Sequence, residues 1–337
     1  MTNDPLRRAI ALYDRFTHEG MDRRRFLHEL TAIAGSAAAA SALLTAIAAD
    51  PAAAALTAPD DPAITTHRVQ WRTGPGQPTK PAPAAGKQDA GAKGQAPPAP
   101  ARSPDRLLNG YLAAPAGSPA PLPGVIVIHE NRGLNSYIED VARRLALAGF
   151  FTVAPDFLTP SGGTPADEDA ARQAIAALDP ARTIADAVAT IDWLRRSPRT
   201  TGKVAILGFC WGGGLVDRVA VAAGARLSAA VAFYGPPPDP AAASRVKAPI
   251  MLHYAGLDSR VDSAAGPWVK ALKAAGVDVR AFVYPDVDHG FHNDTSEARY
   301  NAAAATLAWD RTIAFLRETL GAPPTPMIAA PPRPARP

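Results

Sequence analysis

The sequence predicts a single α/β domain, with a mostly parallel central sheet and helices on both faces. Its 337 residues, 47% of them hydrophobic, are enough to bury a large core. The run 125–128 is continuously apolar, which is typical of a strand buried on both faces. From residue 124 onward such strands alternate with amphipathic helices, and this alternation predicts right-handed crossovers between parallel strands.

The expected elements follow in chain order. An edge strand at 64–71 has alternating β-branched residues, and a second strand follows at 107–113. After the strand at 125–128, further strands are expected at 151–154, 204–207, 227–233, 249–254 and 279–284. Helices are expected at 136–148, 166–178, 180–196, 212–223, 263–275 and near 297–319. The clearest helix start is Asp179-Pro180, an N-cap residue followed by a first-turn proline.

The folded domain is expected to span 62–320, and two proline-rich segments, one inside this range and one after it, cannot build a core. Residues 75–104 hold eight prolines among small and polar residues, which predicts a disordered insertion. Residues 321–337 predict a disordered tail. The net charge of +4 comes mainly from the flanks of the domain. Without a basic stripe interleaved with aromatic residues, we expect no nucleic-acid partner.

The first 50 residues are typical of an export signal of the twin-arginine type. Arg23-Arg24 precedes Phe26-Leu27 and an Ala/Leu-rich run, and small residues at 46–48 predict cleavage near residues 48–50. We therefore expect a periplasmic protein that engages the twin-arginine export machinery. The alternatives are an uncleaved membrane anchor or an ordinary amphipathic N-terminal helix.

The single cysteine, Cys210, excludes an intrachain disulfide framework and any Cys-rich metal site. It lies in Gly208-Phe-Cys-Trp-Gly212, between a buried strand and a helix. This pattern is typical of a nucleophile elbow, a sharp turn that aims the side chain at the N-terminus of the helix. The positive end of that helix favours a thiolate. A buried structural cysteine is the alternative.

A nucleophile at such an elbow needs an acid and a histidine further along the chain. Asp258 and His289 each follow a strand, at the carboxyl edge where α/β active sites form. His292 is the second candidate base. Asp286 and Asp288 are competing acids, but they lie too close in sequence to His289 to face its ring.

The loop after the first buried strand reads His129-Glu-Asn-Arg-Gly133. In an α/β hydrolase this loop supplies one oxyanion donor, and the residue after the nucleophile supplies the other. The expected donors are the backbone N–H groups of Asn131 and Trp211. Glu130 is the further carboxylate of interest, although a solvated loop glutamate is the ordinary interpretation.

These motifs resemble the dienelactone hydrolase family of α/β hydrolases over about 64–318. The resemblance implies a Cys210–His289–Asp258 triad, with Glu130 controlling the protonation of the cysteine. It also implies hydrolysis of an ester or enol-lactone (a carboxymethylenebutenolidase-type reaction) through an acyl-thiol intermediate, with no metal or organic cofactor. The expected partner is a small-molecule ester or lactone, and we expect a monomer.

One position departs from the family pattern. Asn293 stands where well-known members have an arginine that binds the substrate carboxylate. Arg132 is a candidate substrate-binding residue, and Arg172 a weaker one. We therefore expect a broader carboxylic-ester or lactone hydrolase. A catalytically altered binding protein and a related acyl-transfer enzyme are the alternatives; a dehalogenase is disfavoured by the cysteine, and a redox sensor by the absence of a resolving cysteine.

Overall fold

A computed structural model of the protein describes residues 4–48, 56–73 and 106–321. Its eight strands are β1 (Ile64–Arg72), β2 (Leu107–Pro115), β3 (Leu122–Ile128), β4 (Phe151–Asp156), β5 (Thr200–Phe209), β6 (Ala229–Phe233), β7 (Ile250–Ala255) and β8 (Val279–Tyr284). They form one sheet in the order β1-β2-β4-β3-β5-β6-β7-β8. The two pairings made by β2 are antiparallel and the rest are parallel, which confirms the predicted fold class.

Nine α-helices lie in the described part of the chain. They are α1 (Pro5–His18), α2 (Arg23–Ala34), α3 (Ala37–Ile47), α4 (Ser136–Leu147), α5 (Glu168–Ala176), α6 (Pro180–Arg196), α7 (Trp211–Ala223), α8 (Ser259–Ala274) and α9 (Ala302–Leu320). Helices α6, α7 and α8 pack on one face of the sheet, and α4 and α9 pack on the other. The central strands β6 and β7 are buried along their whole length between these layers.

Two helix boundaries differ from the sequence prediction, and capping side chains explain both. Helix α8 begins at Ser259, four residues before the predicted start, because the Asp258 side chain accepts a hydrogen bond from the N–H of Val261. Helix α9 begins only at Ala302, where Asn301 caps it. The residues between β8 and α9 are therefore available as a loop at the carboxyl edge of the sheet.

Helices α1, α2 and α3 form a small unit with its own apolar core, which we call the N-terminal cap (residues 4–48). The Ala/Leu-rich run breaks at Gly35, which adopts a left-handed conformation, and Ser36 then caps α3. No single helix among the described residues is long and apolar enough to cross a membrane. Helices α2 and α3 meet those criteria only as a pair bent by 107°.

The N-terminal cap docks against the loops at the carboxyl edge of the sheet. The carbonyl oxygen of Ile47 accepts hydrogen bonds from Ser296 Oγ at 2.6 Å and from Arg299 Nε at 3.1 Å. On the other side of the cap, Arg23 pairs with Asp169 at 2.5 Å. The expected insertion at 75–104 and the tail beyond residue 321 lie outside the described residues, as does the chain from 49 to 55 that follows the cap.

Helix α7 carries a carboxyl group that couples stability to pH. Asp217 is fully buried; its Oδ1 accepts a hydrogen bond from Trp268 Nε1 at 3.3 Å. Burial raises the pKa of Asp217 to about 7. An unfolded aspartate titrates near pH 3.9, so the stability contributed by this proton is complete below about pH 4 and is lost as the pH rises through about 7.

The variant Asp217→Asn should therefore become more stable relative to wild type as the pH rises. Between pH 5 and pH 8 we expect the difference in free energy of unfolding to move in its favour by about 2 kcal/mol. Urea denaturation at several pH values measures this difference. The exposed position on α9, Asp310→Asn, is the matched control and should show no such trend; a flat difference for Asp217→Asn would contradict the burial argument.

Candidate active site

The carboxyl ends of five neighbouring parallel strands place polar side chains at one edge of the sheet. The residues that follow β3, β5, β6, β7 and β8 at this edge are Glu130, Cys210, Tyr234, Asp258 and His289. All five are buried. The sheet thus brings together residues up to 159 positions apart in the chain, from 130 to 289.

Cys210 occupies the turn between β5 and α7 with a φ of 56°, a conformation that non-glycine residues rarely adopt. Its N–H donates a hydrogen bond to the carbonyl oxygen of Phe233 at 3.0 Å, which ties the turn to the adjacent strand. The turn also needs glycine on both sides. A Cβ at Gly208 would lie 2.5 Å from the carbonyl oxygen of Gly212, and one at Gly212 would lie 2.4 Å from that of His129.

His289 and Asp258 form a buried, hydrogen-bonded pair. The Nδ1 atom of His289 lies 2.6 Å from Oδ2 of Asp258, which orients the ring and leaves its Nε2 atom without a hydrogen-bond partner among the described residues. Burial alone would lower the pKa of His289, but the negative charges of Cys210 and Asp258 outweigh it and raise the pKa to about 10. Burial by itself would raise the pKa of Asp258, but the positive charge of His289 outweighs burial and lowers this pKa.

The Cys210 side chain faces two imidazole rings. Burial by itself would raise the pKa of the thiol, but His18 and His289 together hold the pKa well below its usual value. The geometry therefore favours a thiolate–imidazolium pair over a neutral thiol. Cys210 is buried, with only 4% of the residue exposed.

Glu130 lies in the same buried cluster. Its Oε2 atom accepts a hydrogen bond from Asn293 Nδ2 at 2.8 Å, and its Oε1 atom lies 3.5 Å from the hydroxyl of Tyr234. Burial and the negative charge of Cys210 raise the pKa of Glu130. A negative charge on either group thus disfavours one on the other, which couples the protonation of the two.

The predicted oxyanion donors belong to two different segments, the start of α7 and the loop after β3. Trp211 is the first residue of α7, where backbone N–H groups have no partner within the helix, and its indole stacks on His129 at 5.3 Å. Asn131 lies in the loop after β3, and its side-chain amide donates a hydrogen bond to the carbonyl oxygen of Thr17 in the N-terminal cap. Their roles as donors to a substrate oxygen remain predictions.

The two candidate arginines are already engaged in the described structure. Arg132 is buried, and its Nη2 atom donates a hydrogen bond to the Tyr13 hydroxyl at 2.5 Å while its Nε lies 3.5 Å from Glu168. Arg172 stacks over the Phe16 ring at 4.4 Å. A cavity of about 220 Å³ between the N-terminal cap and the domain reaches Arg132.

His292, the second candidate base, is hydrogen-bonded away from Cys210. His292 Nδ1 lies 2.8 Å from the hydroxyl of Tyr137, and its ring packs between Phe209 and Phe233. Burial lowers its pKa far below the usual value, which keeps the ring neutral. His253, in β7, is likewise buried, and burial lowers its pKa to about 3.

Three residues at this site make contacts that the sequence does not predict. His18, in the segment predicted to be an export signal, ends α1 with its Nε2 atom 3.1 Å from Cys210 Sγ and its ring centroid 4.8 Å from that of His289. Arg299 lies beneath the cap with its side chain 10% exposed, and it pairs with Asp14 at 3.9 Å. Asn293 holds Glu130. The apolar spacing of Ile10, Tyr13 and Phe16 in α1 was the one signal in the sequence that this helix packs against a partner.

Comparison with known proteins identifies the family of this chain. The model of the dienelactone hydrolase family matches residues 108–320, which is more than half of the chain. The chain belongs to the dienelactone hydrolase family. It is therefore a hydrolase, and the predicted family is confirmed.

Individual relatives support the same assignment. A protein of Escherichia coli O157:H7 provisionally named carboxymethylenebutenolidase is 33% identical in an alignment of 222 residues that covers 62% of this chain and 81% of that protein. A protein of the same name from Saccharolobus solfataricus is 30% identical in an alignment of 248 residues that covers 62% of this chain and 93% of that protein. The crystal structure of a provisionally named dienelactone hydrolase from Klebsiella pneumoniae subsp. pneumoniae MGH 78578 superposes with a TM-score of 0.58 at 25% identity, covering 75% of this chain and 99% of that one.

Proposed function

We propose that this protein hydrolyses carboxylic esters or enol-lactones with a Cys210–His289–Asp258 triad. The observation that supports the proposal most strongly is the order of contacts at the carboxyl edge of the sheet. Asp258 fixes Nδ1 of His289, and the ring in turn lies against a cysteine held at a strained strand–turn–helix junction. This is the arrangement of acid, base and nucleophile that acyl transfer requires.

The reaction begins from the thiolate–imidazolium pair. The sulfur of Cys210 attacks the acyl carbon, and the carbonyl electrons move to an oxygen that faces the backbone N–H groups of Trp211 and Asn131. When the tetrahedral intermediate collapses, the C–O bond breaks and the leaving alkoxide takes the proton from Nε2 of His289. Water then gives a proton to the same nitrogen and attacks the thioester, which releases the carboxylic acid and restores the pair.

We assign Glu130 to control of the thiol proton and not to nucleophilic attack. Its raised pKa and its contacts with Asn293 and Tyr234 make it a carboxyl group that can hold a proton in the buried cluster. When Glu130 is ionised, its charge disfavours the thiolate, and when it is protonated the thiolate is favoured. The protonation of Glu130 thereby controls the nucleophile.

Neutral esters and lactones fit this site better than substrates that carry a second carboxylate. Asn293 stands at the position of the family arginine, and its amide is used to hold Glu130. Arg132, the other candidate, already contacts Tyr13 and Glu168. We therefore propose a broader substrate range than dienelactone, acted on by a monomer.

Hydrolysis of short p-nitrophenyl esters and of cis- and trans-dienelactone tests the triad. Cys210→Ala and His289→Ala should each lower kcat/KM by at least about 10³-fold, because either change removes the nucleophile–base unit. His67→Ala, at an exposed position of the edge strand β1, is the matched control and should keep wild-type activity. Wild type that cleaves none of these substrates, or Cys210→Ala with full activity, would refute the proposal.

We further propose that the protein is exported to the periplasm, with a membrane-anchored form as the alternative if the signal stays uncleaved. Arg23 and Arg24 begin α2 and are exposed, so an export receptor can reach both side chains. The same residues lie in a segment that docks on the domain, so engagement of the export machinery has to release α2 from Asp169.

Cell fractionation tests the export proposal. Wild type should appear in the periplasm, shortened near residues 48–50, and the double variant Arg23→Lys/Arg24→Lys should remain full-length in the cytoplasm. Arg7→Lys/Arg8→Lys, which changes two exposed arginines of α1, is the matched control and should be exported normally. Full-length protein confined to the cytoplasm, with no effect of either double variant, would sink the export proposal.

A further inference from the structure

Three side chains from distant parts of the chain meet at the nucleophile in a way that hydrolysis does not require. They are His18 from α1, Cys210 from the elbow and His289 from the loop after β8. Their candidate ligand atoms all lie within 4.8 Å of one another. The triad uses only two of them, and the third comes from the N-terminal cap.

Both histidine rings are oriented so that the Nε2 atom is directed toward the cluster. In His289, Nδ1 lies 2.6 Å from the Asp258 carboxylate, and in His18, Nδ1 lies 2.8 Å from the carbonyl oxygen of Asp14. Each acceptor holds a ring proton on Nδ1, so Nε2 is the nitrogen that can bind a metal once it has given up any proton of its own. Histidines that bind metals are oriented in this way, by a carboxylate or a backbone carbonyl behind the ring.

A second observation also points to a missing ligand. The Nε2 atom of His289 is buried, and it has no hydrogen-bond partner in the described part of the chain. A buried polar atom that stays unpaired costs about 1–3 kcal/mol. With the N-terminal cap closed over the thiol, a bound ion at the centre of the three groups would satisfy this nitrogen.

We propose that His18, Cys210 and His289 bind one Zn²⁺ ion while the N-terminal cap is closed. Two imidazole nitrogens and one thiolate are ligands that zinc prefers, and a water molecule can complete a tetrahedron. Ideal zinc–ligand bonds place the ligand atoms about 3.5 Å apart. The distance of 3.1 Å between His18 Nε2 and Cys210 Sγ is close to this value, and no pair of the three ligand atoms is more than 4.8 Å apart, so the metal has to draw the more distant atoms together.

This zinc ion inhibits the enzyme and is not a cofactor for it. Binding displaces to water the proton that Nε2 of His289 carries in the thiolate–imidazolium pair, and it forms bonds to the sulfur and to that nitrogen. Both the nucleophile and the base are thereby removed from the reaction. The bond to His18 also links α1 to the domain, so the metal holds the N-terminal cap over the thiol. Because cleavage near residues 48–50 would remove the cap together with His18, the zinc site belongs to the full-length chain. Removal of the metal, or loss of the cap by this cleavage, restores the free triad. The metal site itself does not rest on the proposed function, but the inhibition does.

Cobalt substitution tests the site without any turnover. Full-length protein, reduced and free of metal, is titrated with Co²⁺ under anaerobic conditions. We expect one equivalent to give a sulfur-to-cobalt charge-transfer band in the near ultraviolet and visible bands typical of tetrahedral cobalt. Cys210→Ser should abolish the charge-transfer band, and His18→Gln should weaken binding by at least about tenfold, since it removes a direct ligand.

Two controls keep this test decisive. His28→Gln changes an exposed histidine of α2 and should bind cobalt as wild type does. Circular dichroism establishes that each variant folds, and His18→Ala replaces His18→Gln if the latter does not. No tetrahedral spectrum at micromolar cobalt, or equal affinity of wild type and the His18 variant, would overturn the three-ligand site.

Inhibition provides a separate result. Zn²⁺ should inhibit p-nitrophenyl ester hydrolysis by wild type at a concentration at least about tenfold lower than that needed for His18→Gln. Equal inhibition of the two proteins would show that Cys210 and His289 bind zinc without the cap, which would contradict the proposal. If wild type hydrolyses no ester, the triad proposal fails while the cobalt spectrum still decides the metal site.

Discussion

The backbone conformation of Cys210 is the constraint on which the rest of the site depends. A φ of 56° at a residue with a side chain costs of order 1–3 kcal/mol, and it persists because the surroundings leave no alternative. The N–H of Cys210 is tied to β6, and Gly212 approaches the backbone of β3 too closely for any side chain. This packing lifts the sulfur above the sheet edge, where side chains from the neighbouring strands can reach it.

The elbow also determines which charged groups surround the Cys210 sulfur. The Cys210 sulfur lies between basic rings and a carboxyl group that is itself buried, so the protonation of each group depends on the others. Asp258 stabilises the positive charge on His289, and Asn293 and Tyr234 hold Glu130 without adding charge. A buried site of this kind can stabilise a thiolate, and the thiolate becomes free to react only when the protonation or position of the neighbouring groups changes.

The N-terminal cap makes the site composite. Its α1 helix covers the thiol with His18, and its α3 helix ends in a carbonyl group that accepts hydrogen bonds from Ser296 and Arg299. Arg299 also pairs with Asp14, so the loop that follows His289 is joined to both α1 and α3 of the cap. Movement of the cap and access to the nucleophile are therefore physically linked.

Much of this arrangement could be predicted from local sequence. The apolar run of β3 and the glycines around Cys210 are local patterns with a physical cause. Asp258 and His289 are predictable because they follow the nucleophile in the expected order. The contact of His18 could not be predicted, because it depends on how a separate helical unit docks onto the domain. The bond between Asn293 and Glu130 was also missed, since it joins two loops that only the sheet brings together. The late start of α9 depends on a single capping residue, Asn301.

If Cys210 is the nucleophile, it carries the acyl group during turnover, and this intermediate can be trapped. Wild type is mixed with p-nitrophenyl acetate, quenched in acid and digested, and the peptides are analysed by mass spectrometry. We expect one acetyl group on the peptide that contains Cys210, removable by hydroxylamine as a thioester is. Rapid hydrolysis with no acetylated Cys210, or an acetyl group that accumulates on another residue at the rate of turnover, would contradict the account.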